Sequence, residues 1–94
     1  MSKFKIAHIK EQGQQMIIIP LDSNFHHKTS SQQSDTQNSL QSCASGAGLA
    51  GTVVLVWQNG GRMHFIAPQP WHPFFRTLSW NRVISSLNKE LTCG

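Results

Sequence analysis

The stretch from Gly51 to Pro68, GTVVLVWQNGGRMHFIAP, constrains this chain more than any other. Thr52–Trp57 and, less strongly, Met63–Ile66 are rich in β-branched, aromatic and other apolar residues, the composition of strands. Between them stands Asn59-Gly60-Gly61. Asn-Gly readily supplies the positive φ values of a type I′ hairpin turn. A loop of Asn59-Gly60 pairs Val56 with Met63, Val54 with Phe65 and Thr52 with Ala67. The opposite face then carries Val53, Leu55, Trp57, Arg62, His64 and Ile66. If Gly61 joins the loop as a bulge, Val53, Leu55 and Trp57 oppose Ala67, Phe65 and Met63 instead. Both registers stay open. Either leaves apolar groups on both faces, which places the hairpin centrally in its sheet.

A second, weaker hairpin spans Phe4 to Leu21. Its arms are FKIAHIK and QMIIIPL, and Gly13 fits the turn. Met16-Ile17-Ile18-Ile19 is apolar on both faces, as in an interior strand. Helix-forming Lys, Glu and Gln offer a competing reading of Lys3–Gln12 as a short helix closed by Gly13, which leaves Phe4–Lys10 open between strand and helix. The spacing of Phe4, Ile6 and Ile9 gives no clean helical stripe, so the strand is preferred.

Helices are expected in two places. Over Ser31–Ser45, a capping box at Ser30 and Gln33 precedes a narrow stripe of Thr36, Leu40, Cys43, Ala44 and Ala47. From Ser79 onward, Trp80, Val83, Ile84, Leu87 and Leu91 fall at helical spacing, predicting one amphipathic helix that packs on the sheet. Between hairpin and last helix, Pro68, Pro70 and Pro73 exclude a regular strand or helix interior, although Pro73 suits the first turn of a helix. With an offset of 48, Gly13 maps to Gly61 and Pro20 to Pro68, so both halves read hairpin, loop, helix. The expectation is one α+β domain spanning residues 1–94: a two-layer sandwich of two ββα units, with a mainly antiparallel four-stranded sheet and two helices on one face.

A chain of 94 residues buries roughly two-thirds of its unfolded surface, enough for one modest core. No apolar run reaches the ~18 residues of a membrane span. No apolar segment follows the N-terminal lysines, so no signal peptide is expected and the cytoplasm is the default location. Cys43 and Cys93 belong to no CxxC pair, and in that setting two reduced thiols are favoured over a disulfide. Eight Lys/Arg against four Asp/Glu give a net charge of +4, but the basic residues are scattered rather than clustered.

The histidines, His8, His26, His27, His64 and His72, show no HxxxH or HExxH spacing, so no metal or cofactor site is expected. The four carboxylates are too dispersed for a catalytic pair, and no GxSxG is present. One polar constellation remains conceivable: His26, His72 and Asp22, should both helices start at the same sheet edge. That is the weakest of three functional readings. The favoured one is a non-enzymatic interaction module that self-associates as a homodimer, through an apolar sheet face or the aromatic loop. Its candidate residues are Trp57, His64, Trp71, His72, Phe74, Phe75 and Arg76. The alternative is a basic single-stranded nucleic-acid binder that stacks bases on Trp57.

Overall fold

A computed structural model describes residues 2–93. Strands β1 (Ser2–Glu11) and β2 (Gln14–Pro20) lead through a 3-10 turn, Ser23–His27, into helix α1 (Ser30–Gly46). Strands β3 (Thr52–Asn59) and β4 (Arg62–Ile66) follow. Next come a second 3-10 turn (Gln69–Trp71), α2 (His72–Thr77), α3 (Trp80–Ser85) and β5 (Lys89–Cys93). The α+β class and the mostly antiparallel sheet stand as expected. The sheet has five strands rather than four, in the order β4-β3-β2-β1-β5. Each half does begin ββα, and β2 and β3 join the halves as a parallel pair, Ile17 beside Val53 and Ile19 beside Leu55. Parallel neighbours need a long crossover, and α1 supplies it.

Both hairpins turn on two residues with positive φ. In the first these are Gln12 and Gly13, at φ 51° and 79°. In the second they are Gly60 and Gly61, at 62° and 78°, not Asn59 and Gly60. Two glycines adopt this geometry without a Cβ penalty, so the strands run one residue further and Asn59 pairs with Arg62. Neither expected register is therefore formed. Trp57 opposes His64 and Val56 opposes Phe65. The shift from the Asn59-Gly60 register is two residues on β4, an even number, so every side chain keeps its expected face.

Those two faces are both buried by the chain itself. Ile17, Ile19, Val53, Leu55 and Trp57 form one core with Phe25 and with Leu40 and Ala44 of α1. Ile18, Val54 and Val56 form a second core with Phe75 of α2 and Val83 of α3. The expected two-layer sandwich with both helices on one face is thus replaced by three layers. The reason lies in the proline-rich segment, where Pro73 opens α2 and seats Phe75 on the face that α1 does not cover.

The last helix is half as long as its periodicity predicted. Backbone N–H of Ser86 donates to the carbonyls of Arg82 and Val83, and the hydroxyls of Ser85 and Ser86 also donate to Arg82, closing the helix there. Lys89–Cys93 then pairs with Ser2–Ile6 as an edge strand. Leu91 remains buried, on the α1 side. Ile84, expected on the buried face, is 43% exposed, whereas Val83 is 1% exposed. Val83→Ala should therefore cost about 1.5–3 kcal/mol, and Ile84→Ala no more than about 0.5 kcal/mol. Urea midpoints of the two variants check this, and a larger loss at Ile84 would restore the long helix.

Cys43 of α1 and Cys93 of β5 form a disulfide with Cα atoms 5.8 Å apart, correcting the expectation of two reduced thiols. The pairing arises because β5 brings Cys93 beneath the stripe that carries Cys43. Where strands run short, side-chain amides take over the ladder. Asn88 accepts from the N–H of His8 (2.9 Å) and donates to its carbonyl (3.0 Å), prolonging the β5 edge. Gln41 of α1 accepts from the N–H of Val53 (2.8 Å) and donates to the carbonyl of Gly51 (3.2 Å). At Gly51 itself φ is 127°, and a Cβ would lie 2.7 Å from the Gln15 carbonyl oxygen, so only glycine lets β3 approach β2 here.

Candidate functional site

The candidate residues separate onto the two faces of the sheet. On the α1 side, Trp57 is 5% exposed and packs edge-on against Phe25, ring centroids 4.9 Å apart. Its indole N–H donates to Nδ1 of His26 at 3.2 Å. His64, directly across the hairpin, lies parallel to the indole with centroids 6.0 Å apart and stands 4.7 Å from the His26 ring. A residue so enclosed offers no free face to a base, so stacking of nucleic acid on Trp57 loses its platform.

His72 belongs to the other face. Its Nε2 lies 3.0 Å from the carbonyl oxygen of Ala67, and its ring meets Phe65 edge-on at 5.1 Å. The sheet therefore separates His72 from His26, because the two 3-10 turns that lead to them leave β2 and β4 toward opposite faces. Asp22 is occupied as a cap, accepting from the N–H of Asn24 at 3.0 Å. The conceivable constellation of His26, His72 and Asp22 is not assembled. In its place stands an aromatic group of Phe25, Trp57, His26 and His64. Accepting at Nδ1 puts the proton of a neutral His26 on Nε2, so neither nitrogen presents a free lone pair to a metal. Among the described residues, no three His, Cys, Asp or Glu gather to hold an ion.

Three of the concave surfaces border α2, and two others lie beside α1 and beside β5. One groove of about 510 Å³ runs between the first hairpin and α2, lined by Gln12, Gln14, Met16, Trp71, Phe74 and Thr77. Phe74 and Thr77 lie on one side of the helix, and Phe75 and Arg76 on the other, as the helical turn of 100° per residue requires. The second side borders a groove of about 480 Å³ between β4, α2 and the start of α3. Trp71 and Phe74 are half-buried, Arg76 is exposed, and Phe75 is wholly inside. The expected aromatic group thus divides into one core residue, Phe75, and a surface pair, Trp71 and Phe74. Sequence reasoning did not single out Trp80, Asn81 or Gln58, which also border the second groove. Trp80 had a helical period that marked it as core, and the neighbours that leave it half-open come from β4 and α2.

No protein-family model, curated protein or solved structure matches this chain.

Proposed function

We propose that this chain is a small non-enzymatic binding module, whose recognition surface is the aromatic side of α2, and that it self-associates there. The observation that carries the reading is the pairing of half-buried Trp71 and Phe74 with Met16 along one open groove. Large aromatic side chains of this kind are enriched at interface centres, where they release much apolar surface from water. The other route to self-association, an uncovered sheet face, has lost its premise, since α1 covers one face and α2 with α3 the other.

The disulfide supports a setting different from the expected cytoplasm. Structural disulfides persist in oxidising compartments, and a small domain gains most from them. An extracytoplasmic setting is therefore the one we favour.

Sedimentation of the oxidised chain over a concentration series tests the reading. The mass should rise from 10.5 kDa toward twice that value, and Trp71→Ala should hold it at the monomer. A wild-type mass that stays at 10.5 kDa throughout would end the self-association reading.

A further inference from the structure

Strand β4 forms one edge of the sheet. The Asn59–Arg62 pair closes a two-residue turn, so the hydrogen-bonded pairs with β3 fall at Arg62, His64 and Ile66. The carbonyl of Val56, opposite Phe65, agrees with this phase: it accepts from the N–H of Leu21 at 2.8 Å, on the β2 side. The backbone N–H and C=O groups of Met63 and Phe65 therefore point away from the sheet. Elsewhere the chain fills such open rows itself. Where β3 outruns β4, Gln37 donates to the carbonyl of Val53 and Gln41 accepts from its N–H. Asn88 serves His8 in the same way, and the His72 ring reaches the carbonyl of Ala67 just beyond β4. Among the described residues, no side chain does this for Met63 or Phe65. The opposite edge, β5, is blunted by exposed Lys89 and Glu90. On β4 the only charge is Arg62, and Met63, His64, Phe65 and Ile66 are half-buried.

We propose that the β4 edge receives an extended acidic segment of a partner protein as an added antiparallel strand. Met63 and Phe65 would supply about four main-chain hydrogen bonds to it, two at each residue. Alternation sets the side-chain chemistry. Segment residues opposite Met63 and Phe65 share their face, where Leu78 and Trp80 also border the groove between β4, α2 and α3. Residues opposite Arg62 and His64 lie on the α1 side. Arg62 is exposed there, and the single ion pair among the described residues joins Lys3 to Glu90. Neither β3 nor β4 carries a carboxylate, and the chain's net charge is +4. The fitting segment therefore alternates apolar with acidic residues. A second copy joined through its own β4 would bring another Arg62 and no carboxylate, so a different protein is the better complement. The added strand uses neither Trp71 nor Phe74, so it stands or falls separately from self-association.

The test is amide hydrogen exchange of the oxidised full chain, with acetyl-Thr-Val-Glu-Val-Glu-Thr-amide as the probe. In the free protein the N–H groups of Met63 and Phe65 should exchange rapidly, and those of His64 and Ile66 slowly. At saturating peptide, exchange at Met63 and Phe65 should slow by about tenfold or more, with His64 and Ile66 little changed. N-methylation of both valines removes the N–H groups that face β4 and should weaken binding by about tenfold or more. Replacing both glutamates of the peptide by lysine should weaken it by about tenfold, and Arg62→Glu should reverse that preference. Arg62 is exposed, so an unchanged amide spectrum away from β4 should show that this variant keeps the fold. No added protection of Met63 and Phe65 at millimolar peptide would overturn the proposal. So would equal binding of the N-methylated peptide, or equal binding of the lysine peptide. Protection of both amides in the free chain that disappears on dilution would overturn it in favour of a second copy.

Discussion

Phe75→Ala should lower the unfolding free energy by about 3–5 kcal/mol, the range for removing a fully buried phenyl ring. Phe75 is the largest fully buried side chain, at 1% exposure. Its ring lies 5.5 Å from that of Phe65 on β4 and meets the Phe74 ring edge-on at 5.2 Å. Its helix is only six residues long, too short to be stable by its own hydrogen bonds. Packing of Phe75 is what keeps α2 on the sheet, so truncation removes contacts and loosens the helix together. Urea unfolding followed by far-ultraviolet circular dichroism measures the loss. Phe74→Ala is the matched control: its half-buried ring should cost clearly less. Equal costs would mean that the phase of α2 is different from the one described.

Breaking the disulfide should have an effect of similar size. Cys43 and Cys93 are separated by 50 residues, and closing a loop of that length restricts the unfolded chain by about 4 kcal/mol in the chain-entropy account. Measured losses for native bridges run at about 2–5 kcal/mol. Cys43→Ser with Cys93→Ser should fall in that range, and wild-type protein in a thiol reductant should unfold at the same urea concentration as the double variant. The bridge ties α1 to an edge strand whose other support is the ladder with Ser2–Ile6. Identical midpoints for oxidised and reduced wild-type protein would show that the two thiols are not joined.

Features set by neighbours in sequence were legible before the fold was known. Gly13 marked the first turn, the stripe of Leu40, Cys43 and Ala44 marked the inward side of α1, and Pro73 marked a helix start. The capping box was displaced by one residue, to Thr29 and Gln32, because the two adjacent Ser/Thr–Gln pairs satisfy the same pattern. Features set by distant partners were not legible. Lys, Glu and Leu favour helices, and Leu87 and Leu91 keep a helical spacing, yet Lys89–Cys93 is a strand because Ser2–Ile6 offers it a ladder. That partner lies at the other end of the chain, outside any local window. Only the crossover through α1 makes β2 and β3 parallel, and only the layering sends His26 and His72 to opposite faces. Phe74 and Phe75 are adjacent and chemically equal, so composition cannot tell which is core. The phase of α2 decides it.

The central claim is that the chain covers both faces of its own sheet. Methyl and aromatic nuclear Overhauser contacts measure it most directly, with alternate residues along β2 and β3 as reporters. Leu40 and Ala44 should contact only the set Ile17, Ile19, Val53 and Leu55, while Phe75 and Val83 should contact only Ile18, Val54 and Val56. Two disjoint sets are the predicted result. Contacts from Leu40 and Val83 to the same methyl groups would place all the helices on one face and contradict the account.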